Sequence, residues 1–182
     1  KIIGGELKGR NFYMPKGIRP TQSITRKALF DMLGQDMGGI TLVDLCAGSG
    51  AVGLEAISRG AKKAVMVEKD PQCASVINEN IGLLGIDDPG WYEVVQSDAM
   101  AAVNMFFRQE KKFDMVFVDP PYGRGLAKKA LKTIGAYDIL QPTCTMVIQH
   151  EKREILPERS GSFRLYRRKK YGRSYFNIYI NK

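Results

Sequence analysis

Thr41-Leu-Val-Asp44-Leu-Cys-Ala-Gly48-Ser-Gly50-Ala-Val-Gly53 decides the fold. The apolar run Ile40–Leu45 reads as a strand that ends on an aspartate. A glycine-rich turn follows, and Ala51–Ser58 reads as the helix it opens. Gly48, Gly50 and Gly53 match the G-x-G-x-x-G spacing, in which small residues let the backbone turn tightly and approach a ligand. Glu68 closes the next β-rich run, Ala64–Val67, where a carboxylate can hold ribose hydroxyls.

The same alternation continues along the chain. A helix begins near Pro71, a residue suited to the first helical turn, and Val76, Ile77, Asn80 and Leu84 carry its spacing. Tyr92–Gln96, Phe113–Val118 and Thr145–His150 read as strands, with helices over Ala99–Phe107 and Leu126–Tyr137 between them. Strand–helix alternation predicts an α/β fold, a Rossmann-like and mostly parallel sheet with helices on both faces. Near-continuous apolar strands fit a sheet buried on both sides. Phe163–Lys170 and Ser174–Ile180, joined near Gly172, predict a terminal hairpin.

At the front, Ile2–Pro15 is punctuated by Gly4, Gly5 and Gly9 and predicts a second hairpin. Arg19-Pro20-Thr21 then leads into a helix that Thr21 can cap, with Ile24, Ala28, Leu29, Met32 and Leu33 along one face. The expected organisation is a small basic extension, residues 1–36, before one compact α/β domain, residues 37–182.

Two ligands compete for the glycine-rich turn. A dinucleotide would place its pyrophosphate on the helix N-terminus. S-adenosylmethionine has a ribose and adenine but no phosphate, and carries a sulfonium and an ammonium instead. Asp44 at the strand end would repel a pyrophosphate and attract the cationic methionine portion. Ser97-Asp98 closes the third strand, where a side chain can accept a bond from the adenine amine. Asp44, Glu68 and Asp98 at the ends of consecutive strands point to one crevice. Ala47, Lys69 and Asp119 complete the candidate cofactor set with Gly48, Gly50 and Ser97.

The fourth strand runs directly into Asp119-Pro120-Pro121-Tyr122. Two prolines fix the backbone and remove two N–H donors. What remains is acceptor-rich: the Asp119 carboxylate and the Pro120 carbonyl, with the flat face of Tyr122 beside them. That set suits a planar base carrying an exocyclic amine. Two fixed acceptors take the amine hydrogens, favour a pyramidal nitrogen and stabilise the charge that develops on it during attack on a methyl group. Asp119, Pro120 and Tyr122 are therefore the candidate catalytic residues.

The chain has 182 residues and a net charge of +9. Residues 1–36 are net +4, residues 37–149 net −2 and residues 150–182 net +7. The excess at the ends predicts a polyanionic partner. Three widely spaced cysteines, Cys46, Cys73 and Cys144, form no CxxC pair and predict reduced core thiols of a cytoplasmic protein. With His150 the only histidine, no metal site is expected. No run reaches the roughly 20 apolar residues of a membrane helix. Lys1-Ile-Ile-Gly-Gly5 lacks the apolar region of a signal peptide, and the absence of an initiating Met leaves room for a short leader.

These residues resemble the RsmD family of bacterial methyltransferases. The likeness spans Ile2-Ile-Gly-Gly5, Lys8-Gly-Arg10, Arg19-Pro-Thr21, Arg26, Ala28-Leu-Phe30, Asp44–Gly50, Gly53-Leu-Glu-Ala56, Ser58-Arg-Gly-Ala61, Val67-Glu68, Asp119–Tyr122 and Tyr171-Gly172. It implies S-adenosylmethionine as methyl donor, S-adenosylhomocysteine as product, and the exocyclic N2 amine of a guanine in 16S ribosomal RNA as target, alone or within a small subunit. It implies a seven-stranded sheet whose last strand is antiparallel; a monomer is expected. Cys46 stands where relatives often carry a bulky aromatic, and Gln22-Ser-Ile-Thr25 interrupts a basic stretch common after Arg-Pro-Thr.

On this reading Lys8, Arg10, Lys16, Arg19 and Arg26 line one rim of an RNA site, and Arg167, Arg168, Lys169, Lys170 and Arg173 another, positioning rather than specifying the substrate. Tyr13, Tyr171 or Tyr175 is available to stack on an unpaired base. A DNA adenine-amine methyltransferase, or another amine-directed RNA methyltransferase, would use the same Asp-Pro-Pro-Tyr chemistry. A non-catalytic RNA-binding module and a dinucleotide-dependent oxidoreductase are the readings from other classes.

Overall fold

The structure is a computed structural model and describes residues 1–15, 23–172 and 174–181. Five helices and eight strands occur among the described residues, and the chain divides into two compact units, Lys1–Ser97 and Asp98–Lys182. The division falls well after residue 36; the segment 1–15 and the first helix belong to the first unit.

That first unit holds α1 (Ser23–Leu33), β1 (Thr41–Asp44), α2 (Ala51–Ser58), β2 (Lys63–Glu68), α3 (Pro71–Leu84) and β3 (Tyr92–Gln96). Its strands run in the order β3-β2-β1, all parallel, with Asp44 opposite Met66 and Glu68 opposite Gln96. Consecutive buried residues in β1 and β2 show that both of their faces are covered. Asp70 caps α3, its carboxylate accepting from the Gln72 and Cys73 N–H groups at 2.8 and 3.1 Å, and Pro71 follows in the first turn as expected.

No β-strand forms in residues 1–15, so the expected hairpin is replaced by turns. The ends still meet: Ile2 N–H donates to the Arg10 carbonyl at 2.8 Å and Gly9 N–H to the Ile2 carbonyl at 3.0 Å. The donors in between are used by α2. Ile3 N–H donates to Glu55 Oε2 (3.0 Å), Glu6 N–H to the Ser58 carbonyl (2.7 Å) and Leu7 N–H to Ser58 Oγ (3.0 Å). Gly5 has φ 74°, and a Cβ there would lie 1.7 Å from the Ser58 carbonyl oxygen, so only glycine allows this approach. Ile2 and Phe12 enter the core of the unit with Leu54, Ile57, Met66 and Ile77.

The face of α1 also differs from the reading of its periodicity. Ile24 is 76% exposed, whereas Arg26 is buried with Ala28, Leu29 and Phe30. The cause is a buried charge cluster. Glu55 is fully buried: its Oε1 accepts from both Nε and Nη2 of Arg59 (3.0 and 2.8 Å), and its Oε2 faces Arg26 at 3.7 Å. The Arg26 guanidinium also donates to the Lys1 carbonyl at 2.5 Å and lies over the Phe12 ring, while that of Arg59 lies over Phe30. Two cations around one carboxylate hold the N-terminal segment and α1 to α2.

The second unit holds α4 (Ala99–Arg108), β4 (Phe113–Val118), α5 (Leu126–Ala136), β5 (Leu140–Glu151), β6 (Arg159–Ser160), β7 (Phe163–Tyr171) and β8 (Ser174–Asn181). Their order is β4-β5-β8-β7-β6. The β4–β5 pair is parallel; β5–β8, β8–β7 and β7–β6 are antiparallel. The α/β class, the terminal hairpin and the antiparallel last strand are as expected, but the strand count is eight, because the two-residue β6 joins the edge of β7. β5 starts earlier than its apolar run: Leu140 pairs with Phe113 and Thr145 with Met115, so the intervening residues bulge out of register. No helix among the described residues is long and apolar enough to cross a membrane.

Candidate functional site

In the first unit the glycine-rich turn is closed by its own hydrogen bonds. Ala47 N–H donates to the Val67 carbonyl (2.9 Å), Gly50 N–H to the Ala47 carbonyl (2.8 Å) and Gly48 N–H to Glu68 Oε2 (2.7 Å). The other Glu68 oxygen accepts from Asp70 N–H at 2.9 Å. One carboxylate thus fixes the loops after both β1 and β2. Asp44 is buried at the end of β1 and accepts from Cys46 N–H at 3.4 Å. Gly53 packs α2 on β2, for a Cβ there would lie 2.6 Å from Met66 Cγ. Ser97 N–H donates to the Glu68 carbonyl at 3.0 Å, which sets Ser97 beside Glu68. Lys69 next to it is exposed.

Asn80 gave no functional signal in the sequence, yet it ties this turn to the N-terminal segment. Its buried amide donates to the Ser49 carbonyl (3.1 Å) and the Tyr13 carbonyl (3.0 Å) and accepts from Tyr13 N–H (2.6 Å). The Tyr13 ring is left 58% exposed.

In the second unit Asp98 is the N-cap of α4, accepting from the Met100 and Ala101 N–H groups at 2.9 and 3.4 Å. Asp119 and Tyr122 are half-buried just beyond β4, and Pro120 between them is buried. The Tyr122 phenol accepts from Gln149 Nε2 (3.1 Å) and lies 2.7 Å from Ser174 Oγ. Gln149 of β5 and Ser174 of β8 are both buried. Only the strand register brings these two residues under Tyr122, so nothing local in the sequence could have marked them.

Among the candidate RNA residues, Lys8 and Lys170 are exposed. Arg10 is exposed too, but its guanidinium donates to the Leu84 carbonyl at the end of α3. Arg26 is corrected: at 3% exposure beside Glu55 it is a core residue and cannot line a rim. Arg168 is exposed overall while its Nε donates to Asn177 Oδ1 at 3.0 Å. Tyr171 sits edge-on to Phe176, and Tyr175 stacks on His150. Lys16, Arg19 and Arg173 lie outside the described residues, as does the cap expected at Thr21.

None of the three cysteines forms a disulfide. Burial pushes the thiols of Cys73 and Cys144 up to about 11, with the Asp70 carboxylate adding to the effect at Cys73. Neither is a nucleophile at neutral pH.

A parallel β-α-β unit whose turn closes on a carboxylate defines the class of Rossmann-like α/β folds, and Asp-Pro-Pro-Tyr follows a further strand of that fold. The family described as conserved hypothetical protein 95, the RsmD family, matches residues 1–180, and the chain belongs to it. It is 32% identical over 182 residues to the ribosomal RNA small subunit methyltransferase D of Escherichia coli K12, with 98% of this chain and 88% of that protein covered. A solved hypothetical protein of Thermus thermophilus superposes with TM-score 0.83 at 33% identity, covering 98% and 97% of the two chains. An RNA methyltransferase of Salinibacter ruber in complex with S-adenosyl-L-homocysteine shares the fold at TM-score 0.68 and 18% identity, covering 90% and 94%.

Proposed function

We propose that this chain is an S-adenosylmethionine-dependent methyltransferase that places a methyl group on the exocyclic N2 amine of a guanine in 16S ribosomal RNA, in the cytoplasm. The observation that carries the reading is the Asp119–Tyr122 turn, whose tyrosine is pinned by two buried partners. Several relatives that span nearly the whole chain are named ribosomal RNA small subunit methyltransferase D, which supports RNA over other amine-bearing substrates.

The donor set fits the cofactor. The N–H groups of Ala47, Gly48 and Gly50 are already bonded to protein oxygens, Gly48 to Glu68 itself. They do not offer the phosphate-binding cradle that a dinucleotide requires. Asp44 and Glu68 carry the negative charge, and a carboxylate oxygen that already accepts one hydrogen bond can accept a second, which suits them to an ammonium and a ribose diol. Asp44 takes the cationic methionine portion and Glu68 the ribose hydroxyls. Ala47, Lys69 and Ser97 lie beside them in the same unit, and Asp98 follows Ser97 in the chain as the cap of α4. The cofactor supplies a methyl group on a sulfonium that departs as a neutral thioether.

The chain's part in the chemistry is to hold the amine. Asp119 and the Pro120 carbonyl accept its two hydrogens, and Tyr122 stacks on the base. The lone pair is then directed at the methyl carbon, and fixed oxygens stabilise the positive charge that grows on nitrogen. The methylated amine afterwards loses its proton to water. Reorientation costs little, because the Tyr122 hydroxyl is held from both sides before substrate arrives.

The test is transfer of labelled methyl from S-adenosylmethionine to small ribosomal subunits, to free 16S ribosomal RNA and to duplex DNA, with the modified nucleotide mapped by mass spectrometry. N2-methylguanine in the RNA is expected. Label found only in DNA adenine would overturn the proposal.

A further inference from the structure

The basic run of β7 does not present one surface. Residues directly opposite each other on paired strands share a face, so the register sorts the run. Lys169 pairs with Phe176, which pairs with Gln149; Arg167 pairs with Ile178, which pairs with Val147. Tyr171 pairs with Ser174, which pairs with Glu151. These rows lie on the face to which Tyr122 is bonded, through Gln149 and Ser174. Arg168 pairs with Asn177 and Lys170 with Tyr175, in rows that continue to Ile148 and His150 on the opposite face.

The two faces differ in their relation to Tyr122, and in the commitment of Arg168. On the far face Arg168 is bound to Asn177, Asn177 Nδ2 to the Tyr179 hydroxyl at 3.1 Å, and that hydroxyl to the Pro157 carbonyl at 2.8 Å. Tyr175 is stacked on His150 there. Arg168 is thereby committed, while Lys170 is exposed on this face, away from Tyr122. On the Tyr122 face Arg167 is exposed and Lys169 half-exposed, and neither makes an ion pair or side-chain hydrogen bond among the described residues. Glu151 is the carboxylate in these rows, on the far side of Ser174 from Tyr171. Neighbouring strands are about 4.8 Å apart, so Lys169 stands about 10 Å from Gln149. Its side chain therefore reaches the backbone beside a base stacked on Tyr122.

We propose that Arg167 and Lys169 hold the phosphates of single-stranded RNA flanking the target nucleotide, and that Arg168 and Lys170 take no part in that docking. This rests on the RNA-methylating role proposed above. It divides a run that looks uniform in sequence, and it assigns the docking to the two residues whose charge is uncommitted on the side of the chemistry.

The experiment compares the double variants R167A/K169A and R168A/K170A with the unmodified chain. Binding to a 16S ribosomal RNA transcript is measured by fluorescence anisotropy over a series of salt concentrations, with S-adenosylhomocysteine present. Each lost phosphate contact on a single strand lowers the slope of log K against log salt by about 0.7. R167A/K169A is expected to lower it by about 1.4, and R168A/K170A to leave it unchanged. Equal losses in the two variants, or a larger loss in R168A/K170A, would overturn the assignment. K169Q gives the half-sized change if Lys169 acts by charge; an unchanged slope in K169Q counts against it. Methyl transfer is measured in parallel: RNA binding with the expected slopes but no transfer overturns the reaction and upholds the docking face, whereas transfer with equal slopes overturns only the face.

Discussion

Replacing Glu55 by alanine removes the one carboxylate between two buried guanidinium groups. Arginine does not give up its proton in a protein, so both charges stay, at 3% and 7% exposure. Burial already depresses the Arg26 pKa from its ordinary value, which marks the cost of keeping that cation inside. Breaking a buried pair by deleting one partner costs about 3–5 kcal/mol. Arg59 would retain Gln35 and the Phe30 ring, and Arg26 the Lys1 carbonyl and the Phe12 ring, which moves the loss toward the lower figure. The Ile3 N–H would also lose its acceptor, adding about 1 kcal/mol. The total, about 4 kcal/mol, corresponds to a fall in Tm of about 8–16 °C at this chain length. Differential scanning calorimetry measures it, and hydrogen exchange at Ile3 and Leu7 should show the N-terminal segment loosening first. An apolar triple variant, Arg26→Met with Glu55→Leu and Arg59→Met, should recover most of the loss, because the penalty lies in the stranded charges. A fall of less than about 3 °C for Glu55→Ala would refute the reasoning.

Asp119→Ala should abolish methyl transfer to 16S ribosomal RNA while calorimetry shows cofactor affinity largely kept; Asp44→Ala should weaken that affinity, and an unchanged value would mean the turn has been misread. Thiol titration of the native protein at pH 8 should label Cys46 alone, with Cys73 and Cys144 reacting only after denaturation, since burial holds their thiols near 11. Bound S-adenosylhomocysteine should slow the labelling of Cys46, which sits in the glycine-rich turn; equal rates would count against the cofactor lying there. The Asp70 carboxyl is held below its usual 3.8 by the Cys73 N–H bond, so its contribution to stability is complete above that value and is lost as pH falls through the lower, folded one. Asp70→Asn should flatten that acid limb of the Tm profile.

The β1–turn–α2 unit and the Asp-Pro-Pro-Tyr turn were legible because they combine a short apolar strand with residues that only special backbone needs would place there. The buried cluster of Arg26, Glu55 and Arg59 was not. Charged residues read as surface until a partner is seen: Glu55 and Arg59 form a local i,i+4 pair, but Arg26 reaches it from the preceding helix. The exposed Ile24 is the other side of that error, because Arg26 took the inner face of α1. Tyr122 was visible as a candidate stacking ring, but its anchors Gln149 and Ser174 come from strands that only register aligns with it. The split of the β7 cations escaped for a similar reason. Strict alternation would put Leu165 and Arg167 on one face. A shift of register between them places Leu165 opposite Tyr179 and Arg167 opposite Ile178, on different faces.

The placement of β8 bears on when this protein becomes active during its own synthesis. β8 follows the other described strands in the chain, yet it lies between β5 and β7 and supplies Ser174 to Tyr122. The glycine-rich turn, by contrast, is assembled from residues that leave the translating machinery early. On the proposed roles, a chain cut short before Ser174 would keep the turn that takes the cofactor and lose a partner of the tyrosine that takes the base.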